Sequence, residues 1–323
     1  MRRRVKRLGL AQPEIQRAGK DEIDVALPDV SNATRAQEEV GKTAQLYFYD
    51  WEPNVIGADG RAAPSEGTVT GDSTVAGPGG VSAGLPEYQA VLRAAKRPAI
   101  ARKSDTTLTP GCTPQQIEGC IYGSWYLLDT AHEKVLRGPE ETERNLYSDP
   151  PPQPAGTKLK AVRINPGTVL VQAHAVESAA GKVTNPSPNS WYVLNDEPVL
   201  SGSDITNPVQ SIDESTGQPD VTFGFTSYGK VVFERVTKAI AHRGQEAQLP
   251  GVSKEAALQH FAVVLDGQLI TAPSIDYTKY PEGIDASTGS EISGAFTITS
   301  AQNLANELQS GALPLRLVLV ARS

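Results

Sequence analysis

Two cysteines, one methionine and four histidines in 323 residues leave little with which to build a metal centre or a redox couple. Nowhere does an apolar run approach the ~18 residues that crossing a bilayer requires. The start, Met1-Arg-Arg-Arg-Val-Lys-Arg, is basic but no apolar core follows it, which does not fit the pattern of a signal peptide. Positive charge is in deficit, with 30 Lys and Arg against 37 Asp and Glu. A net charge of −7 argues against nucleic acid as a partner, because phosphate binding needs a basic surface.

Catalytic signatures are missing as well. His132, His174, His242 and His260 are scattered, with no HExxH or HxH spacing. No Gly-x-Ser-x-Gly elbow and no phosphate-binding Gly-x₄-Gly-Lys loop occurs. Glu140-Glu141 and Asp213-Glu214 are neighbours in sequence, which on a strand point apart. The expectation is no catalytic residue, no metal site and no cofactor. Cys112 and Cys120 lie eight residues apart in a Gly/Pro-rich stretch. They either close a small ring, a link that stabilises by roughly 2–4 kcal/mol, or stay free thiols. Zinc would need more ligands at tighter spacing.

What the chain has in quantity is glycine (29) and proline (24), so long loops around modest cores are expected. The best-ordered signals fall between residues 261 and 320. Phe261 to Leu265 and Gln268 to Ala272 flank Asp266-Gly267, the strongest short hairpin signal, since a type I′ turn needs positive φ at both central residues. Asp266 is read as turn chemistry, an Asp bonding nearby backbone. Glu291 to Ile298 alternates as a strand with Ile292, Phe296 and Ile298 on one face, interrupted at Gly294 by a bulge or a close backbone approach. Thr299 or Ser300 then caps a helix carrying Ala301, Leu304, Ala305 and Leu308 at helical spacing. Gly311 stands at its C-cap, Pro314 prevents resumption, and Leu315 to Val320 is a last strand.

These residues resemble a family. "FAVVLDGQLITAPSI", "ISGAFT" and "AQNLANELQSGALPLRL", in that order, are similar to the first extracytoplasmic domain of SecD (the SecD/SecDF family), the accessory subunit of the bacterial Sec export machinery. "RRRVKRLGLAQPEIQRAGKDEIDVALPDV" and "VLSGSDITNPV" agree, so the first fifty or so residues and the last hundred and thirty are covered, and the middle is not.

Taken in order, Arg2 to Leu10 ends a helix, Ile23 to Leu27 is a half-buried strand, Ser31 or Asn32 caps a helix to about Ala44, and Gln45 to Trp51 is the next strand. Gly57 to Gly84 holds almost nothing large and apolar and cannot bury enough surface to order itself. A short helix over Pro86 to Lys96, strands at Ser124 to Asp129 and Thr168 to Ala173, and a polyproline-like spacer at Ser148 to Pro154 follow. Ser190 to Leu194, Pro198 to Leu200 and Asp220 to Phe225 are strands. Val232, Phe233, Val236 and Ile240 make the apolar face of a helix ending near Gly244. The fold class expected is α+β. A split ferredoxin-like base (1–54 with 313–323) would carry an inserted ferredoxin-like head (190–312), and 55–189 would be a variable, partly disordered insertion with some β-structure.

The resemblance implies a segment lying between two membrane helices, on the extracytoplasmic face of the bacterial membrane. It implies a mechanical role without chemistry: meeting unfolded preproteins that emerge from the SecYEG channel, alongside SecF, and coupling the proton motive force to late steps of export. Such a task needs a surface for extended, sequence-varied peptide and two bodies joined by few strands. Pro198, Gly311 and Pro314 are the hinge candidates, Tyr277 and Tyr280 the peptide-contact candidates, and Asp266, Gly267 and Gly294 the structural turn residues. A secreted cell-wall hydrolase or a surface adhesion module is the competing reading.

Overall fold

The computed structural model describes residues 14–17, 23–26, 44–57, 60–62, 84–100, 124–140, 142–147, 155–173, 190–214, 216–293 and 296–311. Strands β1 (Glu14–Arg17) and β2 (Ile23–Ala26) pair antiparallel, and β3 (Leu46–Asp50) runs straight into the one-turn helix α1 (Trp51–Asn54). Within 55–189 lie helix α2 (Glu87–Ala95) and strands β4 (Trp125–Asp129), β5 (Lys134–Glu140), β6 (Leu159–Arg163) and β7 (Thr168–Ala173). Next come β8 (Trp191–Asn195), β9 (Leu200–Ser201), β10 (Ile205–Ile212) and β11 (Pro219–Phe225). The long helix α3 (Ser227–Ala247) and the turn α4 (Lys254–Ala257) precede β12 (Gln259–Leu265), β13 (Gln268–Thr271), β14 (Ser274–Ile275) and β15 (Ser290–Ile292). Helix α5 (Ile298–Ser310) completes the described part.

β3 holds the largest sheet together. Leu46 and Phe48 face one core cluster while Tyr49, with Trp51 just beyond the strand, faces another. A strand apolar on both faces needs partners on both edges. β3 has them: β12 on one side, with Phe48 opposite Val263, and β9 on the other, with Phe48 opposite Leu200. The sheet runs β8-β7-β13-β12-β3-β9, with β14 on β12. This corrects the expectation that Gln45 to Trp51 closes a base sheet with Leu315 to Val320. Both neighbours of β3 come from the region assigned to the head, and 312–323 lie outside the described residues. Sheet pairing also crosses the boundary drawn at 189, since β7 pairs antiparallel with β8 and parallel with β13.

Two further three-stranded sheets complete the architecture, β10-β11-β15 and β5-β4-β6. The second packs with α2 over a core of its own, including Val91, Leu128, Ile164 and Val193. Mixed helices and sheets are therefore found, as an α+β reading requires.

Local chemistry explains the helix ends. Thr226 caps α3 by accepting the Gly229 N–H at 3.0 Å, and Val232, Phe233, Ile240 and Ala241 are buried along one side. In α5 the cap is Thr297, not Thr299 or Ser300: its hydroxyl accepts the Ser300 N–H at 3.1 Å, and Ser300 Oγ accepts the Thr297 N–H at 2.9 Å. That reciprocal pair starts the helix at Ile298, which is 60% exposed, so Ile298 does not extend the strand of Ile292. The strand ends at Ile292, and Gly294 lies outside the described residues. The buried stripe of Ala301, Leu304, Ala305 and Leu308 is as the spacing predicts. β10 carries Pro208 inside it, which removes a ladder donor and leaves this strand without a clear sequence signal.

Candidate functional site

Five of the chain's six phenylalanines meet in one chain of rings. Phe48 lies 5.7 Å from Phe261 and 6.2 Å from Phe223 between ring centroids. Phe223 meets Phe225 edge-on at 5.3 Å, Phe225 stacks on Phe233 at 4.7 Å, and Phe233 closes the circuit on Phe261 at 5.3 Å. Such offset and edge contacts satisfy the ring quadrupoles and add to the burial of large apolar area. The rings come from three strands and a helix, β3, β11, β12 and α3, so the cluster ties the large sheet to the β10-β11-β15 sheet.

Above these rings lies a cleft of about 850 Å³. Its floor is the phenylalanine cluster, and its rim is the segment from Ile284 to Ser293 together with Thr206, Ser274 and Tyr280. The lining is hydroxyl-rich, and its charged groups are Lys230 and Glu291. The rim is held by close backbone approaches. At Gly283, φ is +91° and a Cβ would sit 2.5 Å from the Glu234 carbonyl oxygen of α3. At Gly289, φ is +88° and a Cβ would sit 2.6 Å from the Phe223 carbonyl oxygen. Only glycine fits both demands. The Ile284 N–H donates to Thr237 Oγ1 at 2.9 Å, and Lys238 pairs with Glu282.

One end of this segment is pinned by Asp276, whose carboxylate accepts from Lys254 Nζ at 2.7 Å and Thr278 Oγ1 at 2.7 Å. The Lys254 ammonium, followed by the Thr278 hydroxyl, holds the Asp276 carboxyl well below the usual carboxylate range. Deeper in, Arg243 of α3 pairs with Asp50 at the end of β3. Burial nonetheless pushes the Asp50 carboxyl up, against the pull of the guanidinium.

Two of the three described histidines, His260 and His132, take structural partners, while His242 lies exposed on α3. His260 Nδ1 lies 2.6 Å from Glu52 Oε1, and the His260 N–H donates to Glu52 Oε2 at 2.9 Å. This pair fastens α1 to β12 and was not visible in the sequence, where 208 residues separate its members. His132 Nδ1 lies 2.5 Å from Asp129 Oδ2. Burial acts to raise the Asp129 carboxyl, but the His132 bond and the Lys158 and Ala131 N–H groups outweigh it and hold it well below the usual range. Among the described residues no three His, Cys, Asp or Glu side chains group so as to hold a metal ion. His174 lies outside the described residues, as do Cys112, Cys120 and Pro314.

The other sequence candidates separate. Asp266 (φ +49°) and Gly267 (φ +78°) both have the positive φ that the hairpin turn demands. The Asp266 carboxylate does more than local turn chemistry, accepting the N–H groups of Ala44 at 3.0 Å and Gln45 at 2.8 Å. Tyr277 is 8% exposed and packs in the main core against Gly244, which corrects its reading as an exposed peptide contact. It sits where α3 passes closest, a contact that only the tertiary arrangement creates. Tyr280 is half-buried, lines the cleft and carries Lys279 over its ring at 5.0 Å. Pro198 precedes β9, and Gly311 (φ +75°) ends α5, its N–H donating to the Leu308 carbonyl at 3.1 Å.

The fold is α+β with an aromatic-floored cleft, and no helix among its described residues is long and apolar enough to cross a membrane. Comparison with known proteins places it further. Residues 1–53 match the family model "Protein translocase subunit SecDF, P1 domain, N-terminal", and residues 176–315 match "SecDF, P1 head subdomain". Over these stretches, more than half of its length, the chain belongs to the SecD/SecDF protein translocase family. It is 24% identical to the protein translocase subunit SecD of Syntrophobacter fumaroxidans over 97% of this chain and 36% of that protein. With SecD of Escherichia coli K12 it shares 44% over 23% of this chain and 12% of that one. A solved structure of SecDF, a membrane component that enhances protein export, superposes with a TM-score of 0.44 at 21% identity, covering 99% of this chain and 88% of that one. The chain thus spans about a third of the length of the curated relative that matches it nearly end to end.

Proposed function

We propose that the chain is the extracytoplasmic P1 part of a SecD-type translocase subunit and that its phenylalanine-floored cleft receives unfolded preprotein. In the whole protein, with SecF and the SecYEG channel as partners, this hold on the polypeptide is coupled to the proton motive force during late export. The bends that accompany this work fall near Pro198 and between Gly311 and Pro314. The domain itself performs no bond chemistry.

The observation that carries this reading is the lining of the cleft. A groove for many different sequences cannot rely on a specific charge pattern. It needs apolar area tolerant of varied side chains and hydrogen-bonding groups for an unpaired backbone. Pro273, Tyr280 and Ile284 supply the first, over a floor of phenylalanine rings that are themselves buried, and the hydroxyls of Ser274, Ser287, Thr288 and Ser290 the second.

The test is photo-crosslinking in the full-length subunit, with a crosslinker at exposed Thr288 or Ser274 and a preprotein stalled in the channel. Crosslinks from these two positions, and none from exposed Tyr147 or Leu249 away from the cleft, are expected. Equal labelling at all four sites, or labelling only at the last two, would remove the cleft as the binding surface.

A further inference from the structure

The two outer strands of the β10-β11-β15 sheet are finished differently. β10 is blunted. Pro208 has no N–H to offer, and its carbonyl accepts the Gln309 side-chain amide of α5 at 2.6 Å. The Ser211 carbonyl accepts the Gln210 side-chain amide at 2.6 Å. Against β11 the register shifts between Thr206 and Val209, where Asn207 takes a φ of +49°. Proline and bulges are devices that stop a sheet edge from recruiting a further strand. β8, an outer strand of the large sheet, is covered as well, by bridges from Val55 and Leu85.

β15 carries none of these devices. It has no proline and no register shift, and among the described residues no backbone hydrogen bond ties it to anything except β11. An antiparallel strand bonds its partner through every second residue and turns the N–H and C=O groups of the others away. A strand with one neighbour therefore presents those groups outward. Ser290, Glu291 and Ser293 line the cleft, so this unpaired edge belongs to the cleft wall.

Register fixes what an added strand would present, because cross-strand neighbours share a face of the sheet. Ser290 stands opposite Phe223 and Ile292 opposite Val221, and Phe223, Val221 and Ile292 belong to the main core. Glu291, opposite Thr222, points the other way and is exposed. A segment lying beside β15 would send alternate side chains toward the phenylalanine floor and the rest to solvent. Lys230 and Glu291, one of each sign, are the charged groups of the lining, so the cleft calls for an uncharged ligand. At ~3.4 Å per residue, so short a strand offers about 10 Å of edge. That is room for one short segment, and too little for the long, flat pairing through which a second copy would associate.

We propose that an extended, uncharged segment of unfolded polypeptide binds by joining β15 as a fourth strand of this sheet. The inference rests on the reading of the cleft given above and adds the mode of recognition. Main-chain hydrogen bonds, common to every sequence, hold the segment, and an apolar residue at every second position selects it. A proline within the segment removes a donor and weakens the hold.

Amide hydrogen exchange and peptide binding in the 323-residue chain test this. The probe is a synthetic peptide of alternating valine and serine, and its control is a twin with a methyl group on every inner backbone nitrogen. The unmodified peptide is expected to bind and to slow exchange several-fold at Ser290–Ile292, leaving Ile205–Ile212 unchanged. The twin keeps the side chains but loses the N–H donors, and it should bind about ten-fold more weakly, the loss of a few main-chain bonds. Equal binding of the two peptides, or protection confined to β10 or β8, would overturn strand addition and leave the cleft as a site for side chains. Failure of both peptides and of a carboxymethylated, permanently unfolded polypeptide to bind would overturn the cleft reading and strand addition together. Slowing at Ser290–Ile292 that grows with protein concentration alone would make a second copy the occupant and overturn the proposal.

Discussion

Asp266 and Gln45 bond to each other twice across 221 residues of sequence: Asp266 Oδ1 accepts the Gln45 N–H at 2.8 Å, and the Asp266 N–H donates to the Gln45 carbonyl at 3.0 Å. The turn of the β12–β13 hairpin is thereby tied to the entry of β3, the strand it flanks. Asp266→Ala should destabilise the chain by about 1–2 kcal/mol, since it removes two hydrogen bonds to a charged acceptor at a partly exposed site. Asp266→Asn, which keeps one acceptor oxygen, should fall between. Urea unfolding midpoints measure both.

The rim of the cleft depends on glycine at two places, and the penalty should follow the crowding. Gly283→Ala must accept both φ of +91° and a Cβ pressed on the Glu234 carbonyl. Gly217→Ala has a similar φ of +69° but open space around it. The second change should cost about 1 kcal/mol, the left-handed penalty alone, and the first clearly more. Comparing their thermal midpoints separates the two contributions.

Removing a ring from the phenylalanine circuit empties core volume. Phe261→Ala, at a residue 4% exposed that touches both Phe48 and Phe233, should lower stability by about 3–5 kcal/mol. Phe296→Ala, outside the circuit and only partly buried, should lower it less. Chemical denaturation of the two variants gives the ranking.

Asp276 ties stability to pH through the groups that hold its carboxylate. Its carboxyl is held below the ordinary range, so its contribution is present above the unfolded-state value and is lost as pH falls through the folded one. Lys254→Met removes the first of the groups that hold it down. The variant should lose less stability than the unaltered chain as pH is lowered from neutrality into the acid range. Urea midpoints recorded across that range check the sign.

Gly311 offers a test in the full-length protein. Its φ of +75° and ψ of 162°, with nothing among the described residues within 4 Å of a Cβ, mean that Gly311→Val meets backbone strain of about 1–3 kcal/mol. If the proposed bend passes through this residue, export in cells should fall while the isolated chain keeps its fold. Normal export in that variant would assign Gly311 to helix capping alone.

The parts legible in the sequence were those decided within a few residues. Asp266-Gly267 between apolar runs specifies a hairpin because the turn's φ values admit few residue types. The spacing of Ala301, Leu304, Ala305 and Leu308 specifies a helix face, and the glycine after it an end, for equally local reasons. Boundaries were less secure. At Thr297 a reciprocal cap with Ser300 outcompeted continuation of a strand pattern that Ile298 fits, and Pro208 hid β10.

What only the tertiary structure decided is which apolar face meets which. Periodicity says that β3 is apolar on both faces; it does not say that β12 and β9 flank it. An aromatic in a polar loop looks the same before folding whether it becomes buried, as Tyr277 does, or stays at a rim, as Tyr280 does. The pairings of Glu52 with His260 and of Asp50 with Arg243 are of the same kind. Each sets two side chains from distant parts of the chain at hydrogen-bonding range, and that proximity is created by strand register, a long-range quantity with no local signature.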